Sequence, residues 1–159
     1  MARGLEEETM SHTFSQLLFH FVFSTQYREG VIGPDLRAEL YPYIEGIVRS
    51  EGGVLLGIGG MPDHVHLLIR LRPAIFMPDL LRAIKAGSSR WINERSFLPR
   101  SFSWQEGYGA FSVSESSART VHGYIQNQER HHRQRSFEEE WVSLLERHGI
   151  EFDQAHPFG

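Results

Sequence analysis

The chain contains no cysteine, which excludes a disulfide scaffold, a thiolate metal site and a cysteine nucleophile. It has almost no lysine: of its 16 basic residues only Lys85 is one, and the rest are arginine. Arginine forks suit phosphate oxygens, although genome base composition produces the same bias. No apolar run approaches the roughly 20 residues that span a bilayer. The opening MARGLEEETM has three glutamates and no apolar core, so residues 1–13 read as a loose acidic tail and not as a signal peptide. These absences fit a cytoplasmic, bacterial-type protein with no membrane partner.

What is present fits one folded domain. The 159 residues are 40% hydrophobic and 23% charged, enough for a single core and too few for two. The net charge of −4 argues mildly against a nucleic-acid binder. The charge is segregated, however. Residues 70–100 hold seven basic side chains against two acidic ones, while acids gather at Glu6–Glu8 and Glu138–Glu140.

Periodicity divides the chain into elements. Residues 16–24 alternate, with Phe19, Phe21 and Phe23 on one face and Leu18, His20 and Val22 on the other. A helix is expected from Gly33-Pro34-Asp35 to about Ser50, kinked or delayed by Pro42. Residues 53–58 and 64–71 read as a hairpin around Gly59–Asp63. A long helix follows over 77–94, with Leu80, Leu81, Ile84, Trp91 and Ile92 inward and Arg82, Lys85 and Ser89 on a solvated edge. Residues 102–113 resemble a strand interrupted by glycines, 114–134 a helix, and 136–148 a final helix opened by the S-x-x-E box of Ser136 and Glu139. The order β-α-β-β-α-β is that of the α+β, ferredoxin-like split βαβ fold: a four-stranded antiparallel sheet with two helices on one face and extra C-terminal helices. The other face is left for function or for a further helix.

Two groups of residues could carry chemistry. His64 and His66 share a face of their strand, roughly 7 Å apart, with Val65, Leu67, Ile69 and Leu71 opposite. Neutral imidazoles so placed can converge on one ion; equally, they can be two surface histidines in a chain that has nine. Tyr124 and Gln128, at i and i+4, project together from a helix. A tyrosine oxygen can be a covalent nucleophile, and a glutamine carbonyl is a hard ligand suited to Mg²⁺ or Mn²⁺. Half-buried packing is the commoner use of such a tyrosine.

Taken together, GGMPDHVHLL at 59–68, WQEGYGAFSV at 104–113 and YIQNQERHH at 124–132 resemble the single-tyrosine HUH transposases of insertion sequences, and most nearly their REP-associated branch. The resemblance runs from about residue 14 to 153, with 154–159 as a C-terminal tail. It implies that His64, His66 and Gln128 hold a divalent ion, Mg²⁺ or Mn²⁺, and that Tyr124 is the nucleophile. Tyr108 matches a strand-and-turn motif and is expected to be structural. It further implies cleavage and rejoining of single-stranded DNA beside a REP-like or inverted-repeat hairpin through a 5′-phosphotyrosine, by a homodimer. Arg82 and Lys85 are the expected DNA contacts on the basic helix. Three other readings stay open at this point: a domesticated hairpin-DNA binder of the same fold without catalysis, an RNA-recognition-like module, and a small histidine-rich metal binder.

Overall fold

A computed structural model describes residues 13–159; all but the last residue of the acidic tail read from the sequence lies outside the described residues. Four strands, β1 (Leu18–Ser24), β2 (Val54–Met61), β3 (His64–Arg70) and β4 (Gly109–Val113), form one antiparallel sheet in the order β2-β3-β1-β4. With α1 (Pro34–Ser50) between β1 and β2 and α2 (Met77–Glu94) between β3 and β4, this is the ferredoxin-like split βαβ arrangement.

Strand alternation decides what each face receives. Phe21, Phe23, Val65, Leu67 and Ile69 meet Leu36, Leu40, Ile44 and Val48 of α1 and Leu80, Leu81, Ile84 and Ile92 of α2 in the main core. Helix α1 runs through Pro42 without breaking. The proline sits on the exposed side, and the buried Leu40, Ile44 and Val48 hold the helix across the hydrogen bond that it cannot donate.

The second face of the sheet is not open. Helices α3 (Ala118–Gln126), α4 (Gln128–His132) and α5 (Phe137–Arg147) cover it. Val22 and Phe111 pack with Phe137, Trp141, Leu144 and Leu145, and Leu18, Leu68 and Val113 pack with Ile125. The cap of α5 is as the sequence reads: Ser136 accepts a hydrogen bond from the Glu139 amide, and the helix stops before Gly149 at φ 66°. Residues 154–159 are no free tail. Phe158 stacks on Trp141 with ring centroids 5.6 Å apart, and Trp141 Nε1 donates to the Pro157 carbonyl at 2.8 Å.

Two expected elements are shorter than the pattern suggests. The strand over 102–113 ladders only from Gly109, with Trp104 making one isolated bridge to Thr25. The reason lies in Lys85, whose ammonium takes the Gln105 and Gly107 carbonyls at 2.5 and 2.7 Å. The helix over 114–134 breaks at Asn127 (φ −105°, ψ 30°), whose side-chain amide competes for the Gly123 carbonyl at 2.9 Å.

Candidate metal and tyrosine site

His64 and His66 project from β3 toward the C-terminal helices, and both are fully buried. They are therefore not surface histidines, and the open face expected around them is closed. The histidines are reached from α3 and α4 because β2 lets α3 come close. At Gly59 a Cβ would overlap the Ile125 carbonyl oxygen, so only glycine permits this approach. The approach places Gln128 Oε1 3.3 Å from His64 Nε2 and the Tyr124 ring 5.8 Å from the His66 ring. Gln128 is itself tied back to Tyr124, donating to its carbonyl at 3.2 Å, so the pair stays together across the break at Asn127.

The two imidazoles are held from behind. Asp63 Oδ1 lies 2.6 Å from His64 Nδ1, and His20 Nε2 lies 2.8 Å from His66 Nδ1. With protons on both Nδ1 atoms, both Nε2 atoms can turn a lone pair to the centre once an ion displaces any proton held there, the orientation found where a second partner fixes a metal-binding histidine. His20 can accept that proton because burial, with the adjacent His66, lowers its pKa to about 3 and keeps it neutral. Burial also lowers the His66 pKa. Burial would do the same to His64, but hydrogen bonds to Asp63 and Glu140 outweigh it and raise its pKa to about 8.

Glu140 of α5 occupies the middle of the group. Its Oε1 lies 2.9 Å from His66 Nε2 and 3.3 Å from the Nε2 atoms of His64 and His132, and its Oε2 accepts the Tyr124 hydroxyl. Burial pushes the carboxyl upward, but the bonds from His132, His64 and His66 win and hold it well below the usual carboxylate range. Burial and that carboxylate together raise the pKa of Tyr124, so its hydroxyl keeps its proton at neutral pH. The donor set of two imidazoles, an amide oxygen and a carboxylate within a few ångströms suits a hard or borderline divalent ion.

Residues 13–128 match the family described as IS200-like transposase. The chain belongs to that family. It is 28% identical over 118 residues to the ISDra2 transposase TnpA of Deinococcus radiodurans, covering 71% of this chain and 84% of that one. It is 22% identical over 129 residues to the transposase of insertion sequence IS200 from Salmonella typhimurium, covering 77% and 84%. Among solved structures it resembles a Deinococcus radiodurans crystal structure described as a transposase, at TM-score 0.62 and 27% identity over 80% of this chain and 98% of that one. A REP-associated tyrosine transposase bound to a REP hairpin shares the fold at TM-score 0.55 and 16% identity, over 71% and 67%. Membership in the IS200-like transposase family places the chain among DNA-processing enzymes.

The structure brings Tyr124, His64, His66 and Gln128 to one place and leaves three other expected residues elsewhere. Tyr108 packs edge-on to Phe21 on the α1–α2 side of the sheet, away from the histidines. Arg82 and Lys85 are on α2, on that same far side. Arg82 is exposed and paired with Asp79 at 3.0 Å. Lys85 does not stand on a solvated edge: it is half-buried, its ammonium is spent on the two loop carbonyls, and desolvation lowers its pKa.

Sequence reasoning missed Glu140, His132, Asp63 and His20. His132 closes the YIQNQERHH run and Asp63 precedes His64, so proximity marked both. Glu140 carried no mark at all among the four glutamates of 129–140. Among the described residues no helix is long and apolar enough to cross a membrane.

Proposed function

We propose that the chain nicks and rejoins single-stranded, hairpin-associated DNA through a 5′-phosphotyrosine on Tyr124, beside a divalent ion held by His64, His66 and Gln128. The observation that carries this reading is the convergence of these four side chains, from one strand and two helices of a single chain, on one buried point. When bound, Mg²⁺ or Mn²⁺ would polarise the scissile phosphate and offset its developing charge. The Tyr124 oxygen attacks phosphorus as it gives its proton to solvent, the bond to the 3′ oxygen breaks, and the departing 3′ oxygen takes a proton from solvent and leaves as a 3′-hydroxyl. Glu140 Oε2 already accepts a hydrogen bond from the attacking oxygen and orients it. The phosphotyrosine retains the phosphodiester bond energy, so a second 3′-hydroxyl can reverse the step without ATP.

A second reading, a hairpin binder that does not cut, is favoured by one observation. Both histidines lie fully buried beneath the C-terminal helices, so DNA reaches them only if that cover moves. Incubating the protein with an end-labelled single-stranded hairpin, with Mn²⁺, with Mg²⁺ and with EDTA, separates the two. Metal-dependent cleavage is expected; tight binding without cleavage in any metal would establish the second reading. The homodimer rests on family resemblance alone, and sedimentation of the protein with and without hairpin tests it.

For the path of the strand we assign the cleft beside Gln128 lined by Arg37, Arg130 and Arg133, with Arg82 as an outlying contact on the far face. Each phosphate contact releases counterion and adds roughly 0.7 to the log–log salt slope of single-strand binding. Replacing Arg130 and Arg133 by alanine should therefore flatten that slope by about 1.4. Arg82→Ala should flatten it by less than half as much. The reverse ranking would move the strand to the α2 face.

A further inference from the structure

We infer that Glu140 is itself a ligand of the divalent ion, so that the C-terminal helix α5 completes a site whose other residues come from β3 and α4. This inference rests on the reading of His64, His66 and Gln128 as ion ligands. It goes beyond the family match, which ends at Gln128, twelve residues before Glu140.

Three observations carry it. Glu140 is the single acidic side chain buried among the described residues, 1% exposed, in a position where an unpaired carboxylate is strongly disfavoured. Its Oε1 faces both imidazoles, at 2.9 Å from His66 Nε2 and 3.3 Å from His64 Nε2, the nitrogen that also faces Gln128. Ligands about 2.1 Å from an octahedral ion lie about 3 Å from one another across a right angle. The spacings His64 Nε2–Gln128 Oε1, His64 Nε2–Glu140 Oε1 and His66 Nε2–Glu140 Oε1, at 3.3, 3.3 and 2.9 Å, are thus near those of neighbouring ligands, and small shifts would admit the ion. Third, the backing partners Asp63 and His20 allow both imidazoles to carry their protons on Nδ1, so coordination through Nε2 requires no change of ring orientation.

A carboxylate in the set changes what the site does. Two imidazoles and an amide leave the full double charge of the ion facing the phosphate. Glu140 reduces it by one, exchanging some Lewis acidity for a firmer hold. Its second oxygen keeps the Tyr124 hydroxyl, so a single side chain links the nucleophile to the ion. His132, 3.1 Å from Gln128 Oε1 and 3.3 Å from Glu140 Oε1, remains a hydrogen-bond donor that steadies both ligands.

A different role is possible for the same geometry and has the opposite sign. A carboxylate that only stands in for the missing charge, and withdraws when the ion enters, competes with the ion. The test is Mn²⁺ binding to the full chain, followed by the electron paramagnetic resonance of free Mn²⁺, in wild type, Glu140→Gln and His64→Ala. For a ligand, Glu140→Gln should weaken binding at least tenfold, as should His64→Ala. For a competitor, Glu140→Gln should bind more tightly; that result, or an unchanged affinity, beside a loss in His64→Ala would overturn the inference and leave the metal site intact. Wild-type affinity in His64→Ala would instead sink the metal site itself, and the role of Glu140 with it. Hydrogen exchange on the wild-type protein needs no variant. Mn²⁺ should slow exchange across residues 137–147, and no slowing there overturns the inference even if Glu140→Gln fails to fold.

Discussion

Tyr124→Phe should abolish covalent capture of DNA while the protein stays folded and binds metal. The substitution keeps the ring, with its contacts to His66, His20 and His131, and removes only the oxygen that donates to Glu140. Losing a hydrogen bond to a charged acceptor costs on the order of 2 kcal/mol of stability, which a domain of this size tolerates. If the tyrosine only packs, cleavage survives that loss. If it is the nucleophile, no phosphotyrosine can form. Tyr108→Phe is the matched control, because its hydroxyl belongs to the opposite face of the sheet. The assay is denaturing electrophoresis of protein incubated with a hairpin carrying a 3′-bridging phosphorothioate at the scissile position, whose departing 3′-thiol does not religate. An adduct that persists in Tyr124→Phe, or vanishes only in Tyr108→Phe, would assign the chemistry to another residue.

The part of this site that was legible in the sequence is the part encoded by short-range geometry. His64-Val65-His66 on a strand must present two imidazoles to one face, and Tyr124 and Gln128 must meet across one helical turn; period alone gives both. The sheet and its two covering helices were readable for the same reason, since alternation at 18–24 and 64–70 and the i, i+4 stripes of α1 and α2 are local patterns. What covers the second face was not readable. Val22, Phe111 and Leu68 are apolar on that face, which signals a partner, but nothing in a period says whether the partner is DNA or the chain's own α5. Glu140 is the sharpest case. On α5 it is one acid in a run of three, and the usual meaning of such a run is a solvated first turn favourable to the helix dipole. Only the docking of α5 turns Glu140 inward, while Glu138 and Glu139 stay exposed. Lys85 fails in the opposite way. Its helical position reads as an exposed edge, and the loop at Gln105–Gly107 folds over to claim it.

Alanine at His64 or His66 should eliminate cleavage yet leave hairpin binding within a few-fold of wild type, because affinity comes from many backbone contacts and the ion serves a single phosphate. The same residues set the pH dependence. With no metal, His64 carries a proton up to its pKa of about 8, above the 6.5 of an unfolded histidine, since Asp63 and Glu140 hold the charged form against the cost of burial. A raised folded pKa stabilises the protein fully below pH 6.5 and loses that contribution as pH rises through 8. The shift corresponds to about 2 kcal/mol. Metal binding runs the other way. The ion needs the His64 Nε2 lone pair, so below pH 8 it must displace a proton, and its affinity should climb up to about tenfold per pH unit toward 8 and then level. His66 adds no such slope, because burial already keeps it neutral. Urea denaturation of the metal-free protein at pH 6 and 9, beside Mn²⁺ titrations over the same range, should therefore show stability falling while affinity rises. His64→Ala should flatten the first trend and remove the second. If instead the metal-free protein gained stability with pH in parallel with its metal affinity, the proton and the ion would not be competing for His64, and the imidazole would have to be removed from the ligand set.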